Sequence, residues 1–364
     1  MDFRAASLAP QSSVRDAVSA IEAGHKGIAF VLAPDGRLLG TVTDGDVRRA
    51  ILRGLTLDSP AAEIMKADPL TVRVGETPAR LRLLMERTLV RWIPVLDAKG
   101  RLVDVALHPA AVEVKPLPNR VVIMAGGLGS RLKPLTEETP KPLLPLGDRP
   151  ILEILIEQLQ SSGLREVTLA VNYKADDIRA RVGDGSRLGV RVEYVQESRA
   201  LGTAGALRLV RLEGSYPLLV LNADLLTKVD FRQLLEYHRA GGYAMTLCVR
   251  RHTVQVPFGV IELDGQRIAE IEEKPSKEYL VNAGIYVLDP AVLRLIPEGE
   301  HYDMPDLTRH LVQGGKPVGS FPIHEYWLDI GRLSDYRQAE LDYETHFRRP
   351  PVRKAAGRKK ARRG

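Results

Sequence analysis

Short apolar runs that alternate with amphipathic stretches dominate the chain from Val121 onward. Four of these runs have the length and composition of buried strands, namely residues 121–124, 167–172, 190–195 and 217–221. Between them, residues 151–161 show the clearest helical periodicity, with Pro150 at the start and Gly163 just beyond the end. Strands that alternate with helices predict a mostly parallel sheet with helices on both faces.

Later in the chain, the pattern changes to two strand-like runs joined by a tight turn. Residues 258–263 and 267–271 flank Asp264-Gly265, which is a strong hairpin signal. We therefore expect an antiparallel addition to the main sheet. The predicted fold class is α/β, with a Rossmann-like, mostly parallel mixed sheet.

The first part of the chain contains an internal repeat. Residues 27–40 and 91–104 both read as strand, turn and strand. Helical patterns flank these hairpins at residues 14–23, 45–52 and 79–87. The repeat predicts a smaller α/β domain made of two similar units.

The chain is longer than one hydrophobic core usually serves, at 364 residues. Two prolines within residues 115–120 break the periodic pattern. We expect a repeat domain over 1–114, a linker over 115–120, a second domain over 121–345 and a disordered basic tail over 346–364.

Composition and charge narrow the class of protein. The net charge is +6, but residues 348–364 contain nine basic residues and no acidic one, and without them the body carries −3. A nucleic-acid partner is therefore not expected. No apolar run approaches the ~18 residues of a membrane helix, and the N-terminus lacks a secretory pattern, so we expect a cytoplasmic protein without a membrane span. The single cysteine, Cys248, excludes an intrachain disulfide.

The strongest chemical signal follows the first strand of the second domain. Ala125-Gly126-Gly127-Leu128-Gly129 is a glycine-rich turn, whose backbone N–H groups can approach phosphate oxygens without obstruction by a Cβ. Arg131, and Lys141 within Pro-Lys-Pro, add positive charge. This combination predicts a phosphate-binding site.

Two aspartates stand where ligands bind in such sheets. Asp224 follows an apolar strand, and Asp329 ends the run Trp327-Leu328-Asp329. Ligands of open α/β sheets lie at the carboxyl ends of the strands, and carboxylates there can hold Mg²⁺ against triphosphate oxygens. Either aspartate alone could instead cap a helix.

With these motifs, residues 120–345 resemble the sugar-1-phosphate nucleotidyltransferases, which have a GT-A-like fold. The resemblance implies a Mg²⁺-dependent enzyme in which a sugar 1-phosphate displaces pyrophosphate from a nucleoside triphosphate. It implies catalytic roles for Arg131, Lys141, Asp224 and Lys274, and metal binding by Asp224 and Asp329. For the nucleotide it implies Ala125, Gly126, Gly127, Gly129, Gln196, Glu197, Gly202 and Thr203. For the sugar phosphate it implies Gly259, Glu273, Lys274 and Asn282.

The choice of nucleotide depends on two adjacent residues. Gln196 and Glu197 end a strand, so their side chains face opposite sides and only one should meet the base. A carboxylate accepts the two hydrogen bonds that guanine N1 and N2 donate, whereas an amide suits uracil or thymine. In the family's guanylyltransferases a Glu often stands about where Glu197 stands, and GTP is favoured.

The repeat domain resembles a tandem pair of CBS domains. Gly40-Thr-Val-Thr43-Asp44-Gly-Asp46 matches the motif with which such modules hold an adenine nucleotide, and the resemblance implies Thr43, Asp44 and Asp46 as its ligands. The alternative is that Asp44 or Asp46 only caps the following helix. The second copy has no matching pair, so at most one nucleotide site is implied. Such pairs commonly dimerise, so a homo-oligomer is expected.

The order of the two domains bears on the sugar. A CBS pair ahead of this transferase resembles the glucosamine-1-phosphate guanylyltransferases of nonulosonic acid pathways. Mannose- and heptose-1-phosphate guanylyltransferases share nearly all the motifs, and thymidylyl or uridylyl transfer to glucose 1-phosphate is the next alternative. A non-catalytic nucleotide-sensing scaffold is the alternative from another class.

Overall fold

The computed structural model describes residues 3–24, 27–88, 90, 92–107, 115–212 and 214–347. Two expected boundaries shift. A strand begins at Leu117, inside the predicted linker, and the last helix ends at His346 with Phe347 buried behind it. Both segments are therefore held by packing that the sequence pattern did not indicate. The rest of the predicted tail lies outside the described residues.

The N-terminal module, residues 3–107, contains the two expected hairpin units. Its elements are a 3₁₀ helix Arg4–Ala6, β1 Ser7–Leu8, α1 Val14–Ala23, β2 Ile28–Leu32, β3 Leu38–Thr43, α2 Asp44–Leu52, a 3₁₀ helix Ala61–Glu63, β4 Val72–Arg73, α3 Pro78–Thr88, β5 Trp92–Leu96 and β6 Leu102–Leu107. They form two three-stranded sheets, β1-β2-β3 and β4-β5-β6. The short parallel strands β1 and β4 escaped the sequence analysis, because two residues carry no periodicity.

The C-terminal domain, residues 115–347, holds the remaining elements. Its strands are β7 Leu117–Met124, β8 Pro145–Leu146, β9 Arg149–Pro150, β10 Leu164–Val171, β11 Arg191–Gln196, β12 Leu218–Asn222, β13 Leu225–Thr227, β14 Met245–Gln255, β15 Val260–Asp264, β16 Arg267–Glu272, β17 Ser276–Leu288, β18 Val318–Ile323 and β19 Trp327–Asp329. Its α-helices are α4 Leu135–Glu138, α5 Ile151–Ser161, α6 Ala175–Val182, α7 Gly202–Gly205, α8 Phe231–Ala240, α9 Met304–Gln313 and α10 Leu333–His346. Short 3₁₀ helices cover Ser130–Leu132, Lys141–Leu143, Ser186–Leu188, Ala206–Leu209 and Pro290–Leu295.

A seven-stranded sheet forms the centre of this domain, in the order β11-β10-β7-β12-β17-β14-β18. All its pairings are parallel except the two made by β17, so the prediction of a mostly parallel mixed sheet is confirmed. Along β7, Val121 and Ile123 pack into the core beneath α5 and α6, while Val122 faces the core on the α9 side. The layers are helix, sheet and helix.

The hairpin at Asp264-Gly265 forms as predicted, but its expected place in the main sheet was wrong. Among the described strands, β15 and β16 pair only with each other, as a separate two-stranded sheet. Both strands are solvent-exposed along almost their whole length. The turn signal is local and determines the pairing of its two flanking strands, but it carries no information about a third strand.

The two parts of the molecule contact each other along α2 and β18. Within the described ranges, no helix combines the length and the apolar character needed to cross a membrane.

Candidate functional site

A cavity of about 280 Å³ opens at the carboxyl ends of β7, β11 and β12. Ligands of open α/β sheets bind at this edge. The cavity brings together eight residues predicted from the sequence, namely Ala125, Gly126, Gly127, Lys141, Glu197, Gly202, Thr203 and Asp224. Residues far apart in the chain therefore meet at one site.

The three glycines of the turn after β7 have different reasons to be glycine. A Cβ on Gly126 would lie 2.7 Å from Glu197 Oε1, and one on Gly129, where φ is +64°, would lie 2.9 Å from Thr136 Cγ2. Both positions are thus constrained by packing. A Cβ on Gly127 would meet nothing within 4 Å among the described residues. Packing therefore does not require glycine at position 127. A phosphate that approaches the backbone would require it, because a Cβ would obstruct the approach.

Glu197 and Gln196 lie on opposite sides, as strand geometry requires. Glu197 lines the cavity and is 7 % exposed, with Oε2 accepting a hydrogen bond from Leu201 N at 2.9 Å. Burial raises the pKa of this carboxyl, and the Leu201 hydrogen bond only partly opposes the shift. Gln196 is exposed and accepts a hydrogen bond from Arg179 at 3.1 Å, so it does not line the cavity. Of the two candidates for contact with the base, only Glu197 lines the cavity.

The small residues of α7 have a packing role that the sequence analysis did not identify. A Cβ on Gly202 would lie 2.7 Å from Tyr302 O, and Ala204 N and Gly205 N both donate to that carbonyl at 2.9 Å. Thr203 N and Oγ1 donate to Asp303 Oδ1 at 2.8 and 3.0 Å. Three N–H groups of α7 are thus satisfied by the segment before α9 and are not available to an anion in the cavity.

Two carboxylates meet beside the cavity because β13 and β19 pair antiparallel. Leu225 is opposite Asp329, and Ile330 N donates to Asp224 O at 3.1 Å. Lys141 Nζ donates to Asp224 Oδ2 in a charged hydrogen bond. Arg131 lies on the 3₁₀ helix after the glycine-rich turn and approaches Asp329. A Cβ added to Gly331 would be 3.8 Å from Asp329 Oδ1 and 3.9 Å from Arg131 Nη1. Arg131 and Asp329 therefore stand at the rim, outside the lining itself.

The electrostatics of this pair would favour a bound cation. Asp329 is exposed at the rim, yet the surrounding protein removes enough water from its carboxyl to raise its pKa to about 6, with the charge of Asp224 as the second cause and Lys141 and Arg131 opposing. Asp224 Oδ1 is buried and has no hydrogen-bond partner in the described part of the chain. Two mutually repelling carboxylates with a free oxygen fit a hard divalent cation such as Mg²⁺.

The residues predicted for the sugar phosphate do not line the cavity. Gly259, Glu273 and Lys274 lie together at the base of the β15–β16 hairpin, where a Cβ on Gly259 would be 3.0 Å from Glu273 Oε2. Lys274 has φ +49°, a conformation that costs a non-glycine residue about 1 kcal/mol. Such strain is more common at functional sites than elsewhere.

Asn282 lies nearer to the cavity, at a bulge of β17. Its Nδ2 donates to Tyr286 Oη at 2.7 Å and its Oδ1 accepts from Gly284 N at 3.0 Å. A Cβ on Gly284 would lie 2.6 Å from Asn222 Nδ2, and Asn222 lines the cavity. Asn282 is therefore held within its own strand, one side chain away from the cavity wall.

A second cavity, of about 370 Å³, lies in the N-terminal module and includes the predicted adenine-nucleotide residues. Thr43 caps α2, and Thr43 Oγ1 and N donate to Asp46 Oδ2 at 2.6 and 2.8 Å, so both residues are partly engaged with each other. The two oxygens of Asp44 are taken up by His324 and Arg48. Asp44 lines the cavity as well, and the sequence analysis did not anticipate that both of its oxygens already have partners within the protein.

One titratable residue that lines the main cavity escaped the sequence analysis. His301 lines it, from the loop before α9. Nothing in the local pattern marked this histidine, because its position depends on the contact between that loop and α7. Its positive form would favour the ionised form of Glu197.

Comparison with known sequences agrees with this geometry. The family described as Nucleotidyl transferase matches residues 120–346. The chain belongs to the nucleotidyl transferase family. The CBS domain matches residues 1–53 and 61–106, so the N-terminal module contains the expected CBS pair.

Among the relatives, a mannose-1-phosphate guanyltransferase of Aspergillus fumigatus is 34% identical over 236 residues, covering 62% of this chain and 64% of its own. A UTP–glucose-1-phosphate uridylyltransferase of Synechocystis sp. is 31% identical over 240 residues, covering 60% and 62%. The chain thus spans a little under two thirds of the length of these relatives. The crystal structure of HddC from Yersinia pseudotuberculosis superposes with a TM-score of 0.50 at 26% identity, covering 62% of this chain and 99% of that one.

Proposed function

We propose that this member of the nucleotidyl transferase family transfers GMP from GTP to a sugar 1-phosphate and releases pyrophosphate. The observation that carries the proposal is one cavity in which the glycine-rich turn, Lys141, Asp224 and the buried Glu197 meet. Relatives named for guanylyl transfer to mannose 1-phosphate support the reaction class. For the sugar we favour glucosamine 1-phosphate, on the resemblance of the two-domain arrangement, with mannose 1-phosphate as the alternative that the relatives favour.

The proposed reaction is a direct displacement. An oxygen of the sugar 1-phosphate forms a bond to the α-phosphorus while the bond from that phosphorus to the pyrophosphate oxygen breaks. The nucleophile is already anionic, so no protein base has to remove a proton. The protein aligns the two reactants and neutralises charge.

Each charged group beside the cavity has a place in this scheme. Lys141 and Arg131, with the N–H groups of the glycine-rich turn, bind the phosphates that become pyrophosphate. Asp224 and Asp329 would hold Mg²⁺, which supplies positive charge to the triphosphate oxygens. For Lys274 we propose contact with the acceptor phosphate. That contact requires the hairpin base to approach the cavity when substrate binds, since Lys274 does not line it.

The decisive experiment is a matrix of GTP, UTP, TTP and ATP against glucosamine, mannose and glucose 1-phosphates, assayed for pyrophosphate. We expect GTP to give the highest kcat/KM. Highest activity with UTP and glucose 1-phosphate would favour the activity named for the Synechocystis relative. Absence of pyrophosphate in every combination would favour the non-catalytic scaffold.

Glu197 is proposed to select guanine, because its carboxylate can accept the hydrogen bonds from guanine N1 and N2. Glu197→Gln should lower kcat/KM for GTP by about 10- to 100-fold, the scale of one hydrogen bond to a charged group, and lower it much less for UTP. The control is Gln196→Ala, which changes the neighbouring side chain outside the cavity and should leave the preference unchanged. An equal loss for GTP and UTP in Glu197→Gln would contradict base selection by this residue.

We also propose that the cavity of the N-terminal module binds an adenine nucleotide. Its walls include Thr43, Asp46, Arg49, Lys66 and Trp92. Isothermal titration of the full chain with AMP, ADP and ATP tests this directly. If none binds or changes turnover, the module serves as a spacer or as the surface for the expected self-association.

A further inference from the structure

A two-stranded ribbon, β13 with β19, connects the carboxylate pair to the boundary between the two parts of the molecule. Asp224 precedes β13 and Asp329 ends β19, so both stand at one end. The opposite end is the pair Thr227 and Trp327. Among the described strands, the ribbon pairs only with itself and not with the seven-stranded sheet. The position of the ribbon must therefore be fixed by side-chain packing and by contacts at its two ends.

The base of the ribbon is held by contacts of the two residues before β19. Tyr326 O accepts hydrogen bonds from Lys228 N at 2.9 Å and from Thr227 Oγ1 at 3.3 Å. Glu325 O accepts one from Arg250 Nη1 at 2.8 Å. The side chain of Glu325 points to the domain boundary. There its Oε1 accepts a hydrogen bond from Arg48 Nη2 at 2.5 Å.

Arg48 belongs to α2 of the N-terminal module and is buried against the C-terminal domain. Its side chain is 3 % exposed, and its guanidinium stacks over the Phe321 ring at 3.8 Å from the ring centre. It also donates to Pro322 O and, at 2.6 Å, to Asp44 Oδ2. The guanidinium is planar and donates at fixed angles, so donation to two carboxylates and a carbonyl in a buried contact restricts it to one orientation. It therefore fixes Glu325 in place.

We propose that Arg48 is a positioning residue for the metal carboxylates of the other domain, acting through Glu325 and the β13–β19 ribbon. The inference rests on the proposed metal role of Asp224 and Asp329. Without the guanidinium, buried Glu325 loses its hydrogen-bonded counterion and keeps only the more distant His324, whose Nδ1 lies 3.8 Å from Glu325 Oε2. A buried carboxylate paired so weakly moves toward water or takes up a proton. Either change releases the base of a ribbon only three residue pairs long, whose far end carries both carboxylates.

Helix α2 also borders the cavity of the N-terminal module. On α2, Arg48 contacts β18, while Asp44, Asp46 and Arg49 line the cavity of the N-terminal module together with the N-cap residue Thr43. Asp44 therefore borders both the cavity and Arg48. The C-terminal domain adds Gln233 and Glu236, from α8, to that cavity. A ligand there would contact the helix that holds the ribbon.

The test uses the full chain and compares Arg48→Met with wild type. We expect the Mg²⁺ concentration for half-maximal rate to rise at least about tenfold, with KM for the sugar 1-phosphate unchanged. A second readout needs no turnover: Mn²⁺ affinity, followed by loss of the free-Mn²⁺ electron paramagnetic resonance signal, should fall by a similar factor. Arg48→Lys keeps the charge without the fork and should give an intermediate value.

The matched control is Arg251→Met. Arg251 also crosses the domain boundary, donating to Leu55 O at 3.2 Å, but it lies on β14 and not on the ribbon. It should leave metal dependence unchanged. A wild-type metal response in Arg48→Met, or an equal shift in Arg251→Met, would overturn the proposal.

If Arg48→Met fails to fold, Glu325→Gln tests the same link from the other side, because it removes the charge and keeps the shape. Adding Glu325→Gln to Arg48→Met should restore part of the metal affinity, since the buried charge at position 325 that lost its guanidinium is then removed as well. Absence of any rescue counts against the link. If wild type makes no pyrophosphate at all, the proposed function fails, while the Mn²⁺ measurements still decide the inference.

Discussion

Two clusters of carboxylates stand at opposite ends of the β13–β19 ribbon, and their charges are balanced in opposite ways. At the cavity, burial and Asp224 raise the pKa of Asp329 to about 6, and Asp224 Oδ1 has no hydrogen-bond partner in the described chain. At the domain boundary, Asp44 is buried as well, but hydrogen bonds from His324 and Arg48 outweigh burial and lower its pKa.

This contrast separates a site that needs a ligand from one that is complete. A carboxylate whose pKa falls on folding has found its partners within the protein, and it stabilises the native state. A carboxylate whose pKa rises has lost water without gaining enough positive charge, so the native state gains when a cation arrives. Loss of water alone would not distinguish Asp329 from Asp44, because it acts on both carboxyls. The balance between this loss and the charged partners does.

The largest effect should come from removing one carboxylate of the ligand-needing cluster, which consists of Asp224 and Asp329. Asp224→Asn deletes the charge that would hold Mg²⁺, and we expect kcat to fall by at least about 100-fold, the scale of one lost electrostatic contact to the transition state. Circular dichroism should remain unchanged, because asparagine keeps the size and shape of the aspartate side chain. The control is Asp306→Asn, which removes an exposed carboxylate of α9 paired with Arg309. Near-wild-type turnover in Asp224→Asn would refute the metal role.

Asp44→Asn should instead have its main effect on stability, because Asp44 is balanced by partners within the fold. Breaking one partner of a buried ion pair costs about 3 kcal/mol, roughly 6 to 12 °C of melting temperature in a domain of this size. Because folding lowers the pKa of Asp44, its contribution is complete above the ordinary value of 3.8 and is lost as the pH falls through the native pKa. The difference in melting temperature from wild type should therefore shrink below about pH 4.

The control for this prediction is Asp58→Asn. Asp58 pairs with Arg15 in the same module, but both side chains are mostly exposed, and such pairs contribute little. A melting temperature of Asp44→Asn equal to that of Asp58→Asn would mean that the boundary cluster does not stabilise the protein.

The sequence predicted the local features of the molecule well and the long-range ones poorly. The bounds of α1 and α5 agree with the predicted residues 14–23 and 151–161, because helical periodicity is a local signal. The glycine-rich turn and the two aspartates beside the cavity were identified because their motifs are contiguous or end an apolar strand. Strand alternation predicted that either Gln196 or Glu197 faces the cavity. It could not say which, because that depends on how β11 is oriented in the sheet.

Contacts between distant segments gave no such signal. Asp44 was assigned to a nucleotide because its motif is local, whereas its partner His324 lies in the last part of the chain. His301 reached the cavity only because its loop packs against α7. The hairpin was assigned to the main sheet because a turn indicates which strands pair and not where the pair lies. These errors share one cause, since each depends on tertiary packing that overrides or extends a local pattern.

The smallest predicted effect concerns Asp329 in the metal-free protein. Its native pKa of about 6 lies above the ordinary 3.8, so the native state holds this proton more tightly than the unfolded state does. Stability therefore falls as the pH rises from about 4 to 6, and the loss is constant above that. Asp329→Asn lacks this loss, so its melting temperature should exceed that of wild type by an amount that grows over this interval. Saturating Mg²⁺ should reverse the order, because only wild type offers both carboxylates to the metal. A difference that does not vary with pH, or that Mg²⁺ leaves unchanged, would remove Asp329 from the ligand-needing cluster.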